Sequence, residues 1–154
     1  MNPRLSEGAL VREPAERWTC ADASELYDVE RWGKSYFSVG PQGHLLVHPT
    51  KEPERFIDLK QLVDTLLLRG ISLPILIRFG EILKHSLAEI RAAFENAITE
   101  HGYQGSYFCA YPIKVNQQRQ VVEEVFQYGR PYKFGLEVGS KPELLAVLAV
   151  ADNE

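Results

Sequence analysis

Residues 107–150 read YFCAYPIKVNQQRQVVEEVFQYGRPYKFGLEVGSKPELLAVLAV, and strand and helix signals alternate along them with short connections. The β-type runs are YFCAYPIKV and KFGLEVG, and a segment with apolar residues at helical spacing follows each of them. Gly129 ends the first of these helices. Ser140 is the candidate cap of the second, and Glu143 completes its Ser-x-x-Glu pattern. This order predicts a parallel sheet with right-handed crossovers, so the fold class is α/β.

A β-hairpin is predicted near the front of the chain. Residues 35–49, SYFSVGPQGHLLVHP, contain two short β-type runs around a Gly-Pro-Gln-Gly turn. Pro41 fixes φ for the first corner of a type I turn, and Gly43 can take the positive φ of a bulged loop. We expect the hairpin to be part of a small β-containing element in front of the parallel sheet.

Two helices and one more strand are predicted between the hairpin and residue 107. The helix in residues 57–70 has an apolar stripe, with Asp58 as its cap and Gly70 at its end. Residues 71–79, ISLPILIRF, are apolar enough to predict a strand that is buried on both faces. A second helix is predicted over residues 81–101.

The chain ends soon after the last predicted helix, at ADNE, before any third parallel strand. Two parallel strands cannot close a barrel, and their unpaired edges would be costly. The chain therefore looks truncated, as the front portion of something larger. A complete small open-sheet domain is the alternative, because 154 residues are enough for one.

The composition is that of an ordinary soluble protein, with 45% hydrophobic and 25% charged residues. The formal net charge of −4 and the absence of a basic cluster argue against a nucleic-acid binder. No apolar run predicts a membrane span, and the polar, proline-broken N-terminus does not resemble a secretory signal. Cys20 and Cys109 are far apart and outside any metal-like spacing, which predicts free thiols and a cytoplasmic location.

Lys114 is the first candidate for chemistry. Alternation along the strand places Phe108, Ala110 and Pro112 on the same face as Lys114, which lies at the carboxyl end, where ligands of parallel α/β folds bind. An ammonium beside apolar groups loses solvation, which favours the neutral form that can form a Schiff base with an aldehyde cofactor. The alternative is a lysine that simply extends into solvent from a strand end.

Glu137 is the second candidate, near the end of the adjacent strand. It could face the same site as Lys114, as an acid near a cofactor or as a counter-charge. The alternative is a solvated carboxylate, or one hydrogen-bonded to the start of the next helix. The backbone amides of Gly139 and Ser140 could hold an anion, but a short turn followed by a helix cap explains these residues as well.

Other common sites are not predicted. The four histidines, at positions 44, 48, 85 and 101, lack the spacing of a metal site or a catalytic triad. No glycine-rich phosphate loop is present in the sequence. Pro112 removes a ladder donor from its strand, which predicts a local irregularity just before Lys114.

Longer strings of this sequence resemble a known family. YFCAYPIKVNQQRQVVEEV and GLEVGSKPELLAVLA closely resemble the biosynthetic arginine decarboxylases, pyridoxal-phosphate enzymes of the alanine-racemase-like barrel type. Upstream, ELYDVERWGKSYFSVGPQGHLLVHP, IDLKQLV and LPILIRFGEILKHSLAEIRAAF fit the same family, so the resemblance runs from about Trp18 to the end. The combination of the Y-P-I-K-V-N-Q and G-S-K-x-E-L strings is specific.

The resemblance implies an eight-stranded β/α (TIM-type) barrel with a second, β-rich domain. Residues 1–35 would be a weakly ordered lead-in. Residues 36–70 would be a hairpin plus helix that belongs to or abuts the β-rich domain. Residues 71–154 would be the first part of the barrel that binds pyridoxal phosphate. The early hairpin and the segment at LPILIRF would belong to or abut the β-rich domain.

The resemblance also implies the activity and the partners. Lys114 would form the internal aldimine with pyridoxal 5′-phosphate, and Glu137 falls where related barrel decarboxylases carry an acid close to the cofactor. The reaction would convert L-arginine to agmatine and CO2, a step towards putrescine and spermidine. A homo-oligomer whose subunits complete each other's sites is implied, and magnesium is allowed by the same resemblance. Family members continue for several hundred residues, so these 154 residues alone are expected to be inactive.

Three alternatives remain open on the sequence. Another decarboxylase or racemase of the same barrel type would share Lys114 and differ in residues that contact the substrate. A non-catalytic pyridoxal-phosphate module would bind the cofactor without decarboxylation. A purely structural fragment would tolerate replacement of Lys114.

Overall fold

A computed structural model describes residues 17–151 of the chain. The lead-in prediction for residues 1–16 and the last three residues, 152–154, lie outside the described part. The helices are α1 (Cys20–Leu26), α2 (Val29–Gly33), α3 (Leu59–Leu68), α4 (Gly80–Glu100), α5 (Arg119–Gly129) and α6 (Lys141–Val150). The strands are β1 (Phe37–Val39), β2 (Leu45–Val47), β3 (Ile57–Asp58), β4 (Cys109–Pro112) and β5 (Phe134–Glu137).

The described part of the lead-in forms the helices α1 and α2, which the sequence did not lead us to predict. Thr19 caps α1 and Asp22 returns the hydrogen bond, which forms a capping box. This Thr-x-x-Asp pattern is a local signal that the sequence analysis missed. Val29 of α2 is buried, so the second helix packs onto the sheet that follows it.

The front sheet has three antiparallel strands in the order β1-β2-β3. β1 and β2 lie on either side of the predicted Gly40–Gly43 turn, in which the Gly43 N–H donates to the Gly40 carbonyl at 2.9 Å and Gly43 has a φ of 78°. The pair of residues that forms β3 was not predicted. It leads directly into α3, whose cap is Asp58, as predicted from the sequence.

Residues 71–79 do not form a strand, and the prediction that they are buried on both faces is wrong. Leu73 and Leu76 are 58% and 74% exposed. No strand of the described chain pairs with this segment. An apolar run can be recognised locally, but a strand needs a neighbour for its backbone hydrogen bonds, and none lies beside this one in residues 17–151.

The second half of the structure places β4 and β5 side by side as parallel strands. The register pairs Cys109 with Phe134 and Pro112 with Glu137, so the two carboxyl ends meet at one edge. Helix α5 connects the strands and packs against α4 and α6. The two parallel strands and the helices that follow them confirm the α/β class.

The core of this half lies between the sheet and its helices. It is formed by the buried side chains of Leu87, Ile113, Val122, Val125 and Phe134. The opposite face of the sheet is uncovered by residues 17–151: Phe108 is 67% exposed, and Ala110 and Gly135 are also exposed. The sheet is therefore packed on one face only in the described chain, although parallel sheets are usually covered on both.

Candidate functional site

Lys114 lies on a short turn rather than on the strand itself. β4 ends at Pro112, and Ile113–Val115 form one turn of 3₁₀-helix. Proline cannot donate to the sheet ladder, which explains why pairing stops there. The irregularity that Pro112 predicts just before Lys114 is this turn.

The three side chains of this turn differ in burial. Ile113 is 1% exposed and packs into the core, whereas Lys114 and Val115 are exposed. A buried anchor next to an exposed lysine fixes the backbone while leaving the amine accessible. Lys114 is exposed among residues 17–151, so this part of the chain does not provide the loss of solvation that the sequence led us to expect.

Glu137 is brought to the same edge as Lys114. It is the last residue of β5 and lies opposite Pro112 in the parallel register. Its carboxylate approaches the start of α6, since a Cβ built on Gly139 would lie 3.9 Å from Glu137 Oε1. Neither Lys114 nor Glu137 forms a hydrogen bond or ion pair with another residue of the described chain, so the structure places them at one edge without pairing them.

The Gly139 amide, one of the two that could have held an anion, already has a partner in the chain. The Gly139 N–H donates to Glu143 Oε2 at 2.7 Å, and the Glu143 N–H donates to Ser140 Oγ at 3.4 Å. The cap explanation is therefore the right one. The amide that could have received an external anion is bound to the chain's own carboxylate.

Two residues at this edge were missed in the sequence analysis. Gln117 donates from Nε2 to Glu143 Oε1 at 3.2 Å and so joins the segment after β4 to the first turn of α6. Glu143 was identified only as part of a capping box. Its spacing from Ser140 was a usable signal for the cap, but no local signal indicates the contact with Gln117, 26 residues away.

Other findings bear on cofactors and membranes. Within residues 17–151, no group of three or more His, Cys, Asp or Glu side chains is arranged to hold a metal ion. None of the helices in the same range is long and apolar enough to cross a membrane.

The residues at this edge fit the aldehyde end of pyridoxal phosphate. An aldehyde needs an accessible amine, and Lys114 presents one on an anchored turn. The uncovered sheet face beside it carries Phe108 and Ala110, which can pack against the flat face of an aromatic ring. A phosphate would need donors from elsewhere than the Gly139 amide, which Glu143 occupies.

Comparison with known proteins gives a consistent result. The chain is 51% identical over 136 residues to the biosynthetic arginine decarboxylase of Rhodopirellula baltica, a match that covers 88% of this chain and 20% of that protein. It is 50% identical over 132 residues to the enzyme of Gloeobacter violaceus, with 86% and 20% covered. The chain is homologous to part of the biosynthetic arginine decarboxylases.

A solved arginine decarboxylase has the same fold over this region. The crystal structure of the biosynthetic arginine decarboxylase of Campylobacter jejuni superposes with a TM-score of 0.73 at 32% identity, covering 82% of this chain and 20% of that one. No protein-family model matches the chain. The chain spans about a fifth of the length of the curated arginine decarboxylases that it matches.

Proposed function

We propose that this chain is part of a pyridoxal-phosphate-dependent lyase that converts L-arginine to agmatine and CO2 in polyamine biosynthesis. The observation that carries the proposal is the accessible amine of Lys114 at the carboxyl edge of a parallel sheet, in a chain 51% identical to an arginine decarboxylase. The names of the relatives favour arginine over the substrates of other barrel decarboxylases and racemases. They also favour an enzyme over a non-catalytic module.

Each residue at the edge has a proposed role. Lys114 would hold the cofactor by its amine, at the aldehyde group, and this is the bond that the amino group of arginine would have to replace. Pyridoxal phosphate, when bound, accepts the electrons of the bond that breaks. Glu137 supplies a negative charge or holds a proton at the same edge. The sheet face is exposed in residues 17–151. When another part of the protein covers it, this face helps to keep water away from the reacting groups.

The proposal extends to the whole protein. Residues 1–35 form a lead-in, residues 36–70 belong to or abut a β-rich domain, and residues 71–154 begin an eight-stranded barrel. Separate antiparallel and parallel sheets support this division. A cytoplasmic homo-oligomer completes the proposal, and the resemblance to the arginine decarboxylases allows magnesium as a further component. Residues 17–151 supply Lys114, Glu137 and an uncovered sheet face to the site. The chain is therefore expected to be inactive by itself.

Reductive labelling tests the assignment of Lys114. The full-length enzyme that contains this chain is incubated with pyridoxal phosphate, reduced with borohydride, and digested for peptide mapping by mass spectrometry. We expect the label on Lys114, and we expect Lys114→Ala to abolish agmatine formation because the amine that holds the cofactor is gone.

Lys60→Ala is the matched control, because Lys60 is an exposed lysine on α3 that pairs only within its own helix. It should keep both the label and the activity. Label on another lysine, or undiminished agmatine formation by Lys114→Ala, would refute the assignment.

A further inference from the structure

One carboxylate touches both segments that lead away from the candidate site. Glu143 accepts from the Gly139 N–H at 2.7 Å through Oε2 and from Gln117 Nε2 at 3.2 Å through Oε1. Gly139 comes two residues after Glu137. Gln117 comes three residues after Lys114. A single side chain therefore ties the end of β5 to the segment that follows β4.

This arrangement differs from an ordinary capping box. In a capping box the carboxylate three residues into the helix binds the N–H of the cap residue itself. Here it binds Gly139, one residue before the Ser140 cap, while Ser140 Oγ still receives the Glu143 N–H. The other carboxylate oxygen is left to reach Gln117, which a cap alone does not require.

The contacts of Glu143 also constrain the backbone near Glu137. A Cβ built on Gly139 would lie 3.6 Å from Glu143 Oε2 and 3.9 Å from Glu137 Oε1, so this residue lies between the two carboxylates. Glu143 has two donors, whereas Glu137 has none among residues 17–151. The fixed carboxylate holds the backbone from which the free one projects.

We propose that Glu143 is a positioning residue for the decarboxylation, acting through its two hydrogen bonds rather than by contact with substrate. It holds the Lys114 turn and the Glu137 strand end in one relative position. The inference rests on the proposed function and adds a residue to it. A misplacement of about 1 Å can cost about a hundredfold in rate, so loosening these two segments should lower kcat.

Four variants separate hydrogen bonding from charge. Glu143→Ala removes both contacts. Glu143→Gln keeps them, because the new amide oxygen accepts from Gly139 and the Gln117 amide can turn to present its oxygen to the new NH2 group. Gln117→Glu places two carboxylates opposite each other and breaks the link. Combining Gln117→Glu with Glu143→Gln restores a donor opposite an acceptor.

The variants are made in the full-length enzyme and assayed for kcat, for KM for arginine, and for the absorption spectrum of bound pyridoxal phosphate. We expect Glu143→Ala and Gln117→Glu to lower kcat about 10- to 100-fold, with KM for arginine within about twofold of the parent value. Glu143→Gln and the double variant should stay near the parent in kcat and in the cofactor spectrum.

Two results would overturn the inference. One is full kcat in Glu143→Ala. The other is a Glu143→Gln variant as slow as Glu143→Ala, since that would show that the charge is needed and the hydrogen bonds are insufficient. Lys114→Ala assayed in parallel keeps the two proposals apart: if it is inactive while the Glu143 and Gln117 variants are active, only the positioning role fails.

Discussion

The Tyr36 hydroxyl joins the front sheet to helix α4. Its oxygen lies 2.9 Å from His85 Nδ1 and 3.0 Å from both Ser86 Oγ and Glu89 Oε2. Lys51 Nζ lies 2.6 Å and 2.8 Å from the two Glu89 oxygens and 4.6 Å from the centroid of the Tyr36 ring. The residues come from two distant parts of the chain, so this cluster helps to hold the front unit on the second one.

The charges in the cluster shift its pKa values in ways that follow from its contacts. The hydrogen bond from Lys51 is the main reason that the pKa of Glu89 lies below its ordinary 4.5. The same hydrogen bond raises the pKa of Lys51. Partial burial is the main reason that the pKa of Tyr36 is raised. At neutral pH, the Lys51–Glu89 pair is therefore fully charged.

Lys51→Met tests the Lys51–Glu89 pair through the pH dependence of stability. Glu89 has a lowered pKa in the folded state, so the contribution of the pair is fully present above pH 4.5 and is lost as pH falls through the folded pKa. Because the Glu89 carboxylate is 45% exposed, we expect Lys51→Met to lower the unfolding free energy by only about 0.2–1 kcal/mol. Urea unfolding followed by circular dichroism between about pH 3 and 7 measures it.

Lys60→Met is the control for this prediction, since it removes an exposed pair confined to α3. The difference in stability between Lys51→Met and the parent should narrow as the solution is acidified below pH 4.5. A difference that is constant across this range would show that the ion pair does not contribute as argued.

At the scale of elements, Gly129 sets how closely α5 approaches β5. It is the last residue of α5 and is buried. A Cβ built on it would lie 2.6 Å from Phe134 Cβ and 3.2 Å from Phe134 Cγ. The Cβ of Phe134 is fixed by its backbone and cannot rotate away. The close approach of the helix end to the strand therefore requires that residue 129 has no side chain, as in glycine.

Gly129→Ala is therefore expected to lower the unfolding free energy by about 1–3 kcal/mol, because the added methyl forces the helix end away from the strand. Gly135→Ala is the matched control: its added Cβ would meet only the Cys109 carbonyl oxygen, at 3.9 Å. Chemical denaturation of both variants provides the comparison. Equal stability losses would show that the close approach at Gly129 is unimportant.

The elements also show why some predictions from sequence succeeded. The helix at α4 was predicted to within one residue at each end, and α5 to within three residues at its start, because their hydrogen bonds are local and their apolar stripes are periodic. The segment 71–79 was predicted wrongly because a strand depends on a neighbour elsewhere in the chain. The same dependence explains why the two-residue β3 was missed.

At the scale of the whole molecule, the main feature is an uncovered parallel sheet. Helices cover the face with Phe134 and Ile113, while Phe108 on the opposite face is exposed. The apolar residues of α6 are also only partly buried, since Leu145 and Leu148 are 59% and 54% exposed. Lys114 and Glu137 lie at the edge of this surface, which residues 17–151 leave exposed.

We therefore expect the isolated 154-residue chain to produce no agmatine from arginine and pyridoxal phosphate. The reason is physical: Lys114 is exposed to water, and no wall of the described chain covers the sheet face beside it. The full-length enzyme, assayed at the same concentration by chromatography of the product, is the positive control. Measurable turnover by the chain alone would contradict this prediction.

The sequence by itself determined the α/β order and the helix caps at Asp58 and Ser140, because these depend on local pattern. It also identified Lys114 and Glu137 as candidates, from their places on the strands and from the resemblance to the arginine decarboxylases. Only the tertiary structure decided that Lys114 is exposed on a turn anchored by Ile113. It alone brought Gln117 to Glu143. Contacts between segments far apart in sequence form when the strands align and the helices pack, and no local pattern encodes them.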